Sequence, residues 1–113
     1  MKLPNAEHAI VDEAKVRDHL LSPEHPIGRF KARVFRAGGY ERDNWRRLRD
    51  DLLALARSAD VSLASADKFG RRFVGTGLLP APNGRPLPVT AVWLIPSETE
   101  SPRLITAYPA GPL

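Results

Sequence analysis

The stretch Trp45-Arg-Arg-Leu-Arg-Asp-Asp-Leu-Leu-Ala-Leu-Ala-Arg-Ser58 decides the fold, because its apolar residues recur at helical spacing and the chain changes period after it. Trp45, Leu48, Leu52, Leu55 and Ala59 stand three and four apart, which predicts one apolar stripe on a helix beginning after Asp43 and ending near Ser58. Arg46, Arg47 and Arg49 leave that stripe for solvent or for an anion. Beyond the helix, residues 60–67 read as a polar linker. The segments Arg71 to Leu79, Leu87 to Ile95 and Arg103 to Tyr108 are then short and rich in β-branched or aromatic residues. Pro82-Asn-Gly-Arg85 and Pro96-Ser-Glu-Thr-Glu-Ser-Pro102 separate them, and the pattern predicts an antiparallel meander.

Upstream of Trp45, Asp12 precedes Glu13-Ala-Lys-Val-Arg-Asp-His-Leu-Leu, a side-chain cap and acidic first turn that predict a helix ending before Ser22-Pro23. Two prolines and a glycine make Ser22 to Gly28 a rigid loop. A second helix is expected from Arg29 to about Ala37, with Ile27, Phe30 and Val34 on one stripe, Lys31 and Phe35 on the next, and Gly38-Gly39 as its stop. Residues 8–11 are short enough to add only a small edge piece. Helices followed by strands give an α+β fold, a single domain over residues 1–113 whose N-terminal helices pack on a C-terminal antiparallel sheet of three to four strands.

At 113 residues, with 42% apolar and 27% charged side chains, the chain has the composition of one soluble globule. It contains no cysteine, so disulfides, thiolate metal sites and thiol nucleophiles are excluded. No apolar run suits a signal peptide or approaches the roughly 20 residues of a membrane span, so cytoplasmic residence is expected and a membrane partner is not. Three scattered histidines, with no HExxH, phosphate loop or GxGxxG, argue against a metal site or a cofactor.

The net charge of +4 has a local origin. Residues 28–49 carry eight Lys/Arg against two Asp/Glu, whereas residues 1–27 carry three against five and residues 50–113 carry six against six. Such a cluster attracts polyanions in a salt-dependent way, although a solvated face with acidic neighbours would give the same count. RNA is accordingly a candidate partner, and Arg29, Arg46, Arg72 and Arg103 are candidate nucleic-acid contacts.

Cleaving RNA without a metal needs a base for the 2′-OH proton, an acid for the leaving oxygen, and donors around the phosphate. His25 can titrate near neutral pH in a loop leading to a helix start. Lys31 falls in the first turn of the following helix, where an ammonium without an anion opposes the helix dipole. In the last strand, alternation places Leu104, Thr106 and Tyr108 on one face and Arg103, Ile105 and Ala107 on the other. Thr106 and Tyr108 could bind a phosphate or stack a base. Trp93, among apolar neighbours, reads as core. The competing reading is a non-catalytic RNA- or protein-binding module, in which histidine and tyrosine are merely loop and strand residues.

Met1-Lys-Leu-Pro-Asn-Ala-Glu7, Leu20-Leu-Ser-Pro-Glu-His-Pro-Ile-Gly-Arg-Phe-Lys-Ala-Arg-Val-Phe35 and Pro102-Arg-Leu-Ile-Thr-Ala-Tyr108 closely resemble a small bacterial family described as a domain of unknown function. More distantly, a His/Lys helix entrance followed by a sheet ending in Thr-Ala-Tyr-Pro resembles ribonuclease toxins of the barnase, EndoU and RelE type. That likeness implies a metal-independent endoribonuclease with its site on the sheet, made by His25, Lys31, Thr106 and Tyr108. It also implies a cognate inhibitor, an antitoxin or immunity protein. The chain departs from the EndoU pattern of two histidines and a lysine, so the acid falls to Tyr108 or Lys31.

Overall fold

The computed structural model describes residues 1–22 and 29–110, with side chains excepted at Arg29 and Phe30. Helix α3, Trp45–Ser58, is the element the sequence states most plainly. Trp45, Leu48, Leu52, Leu55 and Ala56 are buried along its length, as the three-and-four spacing requires. It lies on a four-stranded antiparallel sheet in the order β1-β2-β3-β4, formed by Val61–Asp67, Gly70–Pro80, Pro86–Pro96 and Arg103–Pro109. The domain is α+β, with helices ahead of the sheet in sequence.

The expected linker at residues 60–67 is instead an edge strand. Only Val61 of β1 is buried, the exposed positions hold mostly small and polar residues with Leu63 left 52% exposed, and no sustained apolar alternation marks the segment. Its pairing to β2 supplies the backbone partners that its composition does not advertise. The small edge piece near residues 8–11 is present as an isolated parallel bridge between Ile10 and Arg103.

One sheet face carries a row of small residues, and α3 approaches it at Gly77. Gly75, Ala91 and Ala107 are in register across β2, β3 and β4, and a Cβ on Gly77 would stand 2.5 Å from Leu55 Cδ1. Around that contact, Phe73, Leu79, Val89, Trp93, Ile95 and Leu104 close the core, each side chain of that size contributing about 1.5–3 kcal/mol by burial. Trp93 is 1% exposed and belongs to the core.

The first two helices depart from their expected details. Glu13–Lys15 form one α-helical turn, α1, and Val16–Leu20 widen into a π turn, with Leu21 N–H donating to Val16 O at 2.9 Å. Asp12 makes no capping bond, because its carboxylate accepts from Arg103 at 3.0 Å. Helix α2, Arg29–Ala37, buries Ala32 and Phe35, whereas Val34 is 37% exposed. Val34 therefore lies off the buried stripe expected for it, while Ile27 and the side chain of Phe30, the other two members, lie outside the described residues. Its glycine stop is as expected. Gly39 at φ 102° donates to Arg36 O, and Tyr40 N–H donates to Phe35 O, closing a Schellman motif.

Candidate functional site

Residues from opposite ends of the sequence meet beside β4. Register settles which way β4 points: Ala107 faces Ala91, Tyr108 faces Thr90, and Thr106 faces Val92. The pairing shifts between Val92 and Trp93, so Ile105 is an extra residue and Leu104 opposes Trp93. This bulge overturns the strict alternation expected from sequence. Leu104 joins Ala107 in the core, while Thr106 and Tyr108 occupy the face turned away from α3.

Helix α2 delivers Lys31 to that face. Its Nζ donates to Thr106 Oγ1 at 3.0 Å and stands 5.8 Å from the centre of the Tyr108 ring. Since the ammonium fills a lone pair of the threonine, the hydroxyl proton of Thr106 is available to a further acceptor. Among the described residues, no carboxylate lies within ion-pair distance of Lys31. Burial, and secondarily the charge of Lys15, hold the Lys31 pKa below its ordinary value. Lys15 is a residue the sequence did not single out: it lies on α1, with no local motif to mark it.

Not all candidates converge. His25 lies outside the described residues, as does the side chain of Arg29. Arg103 and Arg72 share one cross-strand row with Leu94, on the same face as Thr106, but each has a carboxylate nearby: Asp12 at 3.0 Å and Asp67 at 4.0 Å. Arg46 belongs to the helix layer behind the sheet, with its guanidinium 4.9 Å from the Trp45 ring. Several other members of the basic stretch are tied internally, Arg42 to Asp18, Arg47 to Asp51 and Arg49 to Asp50. Among the described residues, no three His, Cys, Asp or Glu side chains are grouped to hold a metal, and no helix is long and apolar enough to cross a membrane.

An α+β domain with a cation and two hydroxyls gathered at its last strand is thus what the chain builds. By sequence it belongs to the family described as domain of unknown function (DUF6883), whose model matches residues 2–111. No curated protein matches it. In structure it is similar to a chain of a contact-dependent growth inhibition toxin–immunity protein complex from Klebsiella pneumoniae 342. The TM-score is 0.71 at 18% identity, covering 96% of this chain and 98% of that one, a likeness of fold.

Proposed function

We propose that this domain is a toxin acting as a metal-independent endoribonuclease, held in check by a cognate inhibitor. The observation that carries the reading is the Lys31–Thr106 contact at 3.0 Å beside Tyr108, which joins groups 75 residues apart without a carboxylate among the described residues. A phosphate is the counter-charge such a cluster lacks. Similarity of fold to a chain of a toxin–immunity complex supports the toxin role and the inhibitor.

In the proposed reaction, His25 takes the proton of the ribose 2′-OH and the 2′ oxygen attacks the adjacent phosphorus. The Lys31 ammonium and the Thr106 hydroxyl donate to the non-bridging oxygens as their charge grows. The bond from phosphorus to the 5′ oxygen breaks, leaving a 2′,3′-cyclic phosphate, and the departing oxygen takes a proton. Burial brings the Lys31 proton closer to release, which suits it as the source, with Tyr108 orienting the substrate. Lys15 adds positive potential, and Arg72 and Arg103 offer cations to neighbouring phosphates once Asp67 and Asp12 give way.

Incubation of the purified protein with total RNA and a chelator tests this reading. Discrete fragments with cyclic phosphate ends are expected. Intact RNA whose mobility shifts in a salt-dependent way would point to the binding module instead.

A further inference from the structure

Next to the cluster, the face turned away from α3 carries a row of hydroxyls running on from Tyr108 to two threonines that the cleavage reaction leaves unused. Thr76, Thr90 and Tyr108 are directly opposite one another across β2, β3 and β4. Thr76 Oγ1 and Thr90 Oγ1 stand 2.8 Å apart, one donating to the other. Thr90 is only 8% exposed, whereas Thr76 is exposed and Tyr108 is 39% exposed, so the row opens to solvent at both ends. In a hydroxyl pair one proton is consumed between the oxygens, and the pair presents one O–H donor beside free lone pairs. A nucleobase edge offers the same alternation of donor and acceptor in reverse.

The spacing suits one nucleotide. Thr106 and Tyr108 are two residues apart along β4, about 7 Å at the usual strand rise. Adjacent strands add roughly 5 Å per step from Tyr108 to Thr90 and Thr76. A phosphate on Lys31 and Thr106 would therefore leave its own sugar and base lying towards the Tyr108 ring, with the base edge towards the threonine pair. We propose that the Thr76–Thr90 pair, with the Tyr108 ring as platform, is a nucleobase subsite that selects the nucleotide flanking the scissile phosphate. This rests on the ribonuclease reading and adds to it a reason for sequence preference.

The test begins by mapping where the wild-type protein cuts total RNA, then uses a synthetic oligonucleotide carrying the mapped site. An abasic replacement on one side of the cleaved bond should slow the wild type about tenfold, the worth of one hydrogen-bonded contact at an open site. Thr76→Val keeps the β-branched shape at an exposed position, and Thr76→Val combined with Thr90→Val removes both hydroxyls without stranding either. Both variants should cut the intact oligonucleotide more slowly, lose most of the abasic penalty and cut total RNA at less selective positions, while Thr76→Ser retains the wild-type pattern. Variants that fold, cut at the wild-type positions and show the full abasic penalty would overturn the subsite while leaving the nuclease standing. A wild type that cuts no RNA would overturn both.

Discussion

Two polar clusters in this domain use the same kinds of group, a cation and a phenol, and are wired in opposite ways. In one, Tyr40 donates to Asp51 Oδ2 at 2.6 Å, Arg47 Nε donates to the same oxygen at 2.9 Å, and Arg47 also donates to the carbonyl of Pro80. The Tyr40 side chain is fully buried, and its proton is held far above the ordinary range by that burial and by the bond to Asp51. Charge and hydrogen bonds close within the cluster, which ties the start of α3 to the end of β2. In the other, Lys31, Thr106 and Tyr108 have no carboxylate among them, and Lys15 adds a second positive charge to the neighbourhood. The first cluster is complete as folded, whereas the second, on the function proposed above, is completed by an anion. On that difference, rather than on the number of charges, we propose the first as a brace and the second as a binding site.

The comparison is easiest to break at the brace. Asp51→Ala leaves a buried phenol without its acceptor and an arginine without its partner, and should cost about 3 kcal/mol in urea unfolding. RNA cleavage per folded molecule should stay at the wild-type level, and a large loss of turnover would mean that the two clusters are coupled. Tyr40→Phe keeps the ring against Phe35, 6.3 Å between centroids, and should cost about 1–2 kcal/mol. At the other cluster, Thr106→Val removes one proposed phosphate donor at constant shape and should slow cleavage about tenfold, with the thermal midpoint near that of the wild type.

The smallest effect sharpens the contrast most. Lys31 has a lowered pKa, so folding disfavours its charged form, and its cost to stability fades as pH rises from the lowered value towards 10.5. Tyr40 behaves oppositely. Its raised pKa contributes stability that is present below its ordinary value of 10.0 and is lost as pH climbs above it. Lys31→Met should therefore unfold at or slightly above the wild-type temperature at neutral pH, read by calorimetry. Inorganic phosphate should raise the midpoint of the wild type and leave that of the variant unchanged. A variant that unfolds several degrees lower would place Lys31 among the braces.

Sequence patterns carried the fold where burial is periodic. Helix α3 announces itself by its apolar stripe from Trp45 to Ala56, and β2, β3 and β4 by short runs rich in β-branched and aromatic residues between turns marked by proline and glycine. Edge strand β1 did not, because Val61 is its only buried residue and the pairing that defines it lies in the backbone. The orientation of β4 was hidden for a different reason: one inserted residue, Ile105, shifts the alternation, and nothing in Leu-Ile-Thr-Ala-Tyr marks a bulge. Of the proposed site, Lys31 was legible from its conflict with a helix start, and Thr106 and Tyr108 from sharing a strand face, a pairing that the bulge leaves intact. Their meeting with Lys31 is a tertiary fact. Thr76 and Thr90 read as ordinary strand residues, since their relation exists only across two strands in register.

The central claim is that Lys31 acts on the phosphate of RNA, and a chelator-treated cleavage time course comparing the wild type with Lys31→Ala tests it most directly. The account predicts fragments ending in 2′,3′-cyclic phosphate from the wild type and a rate lower by about a hundredfold or more from a variant whose circular dichroism and thermal midpoint are unchanged. Equal rates from the two proteins, or RNA left whole by the wild type, would contradict it.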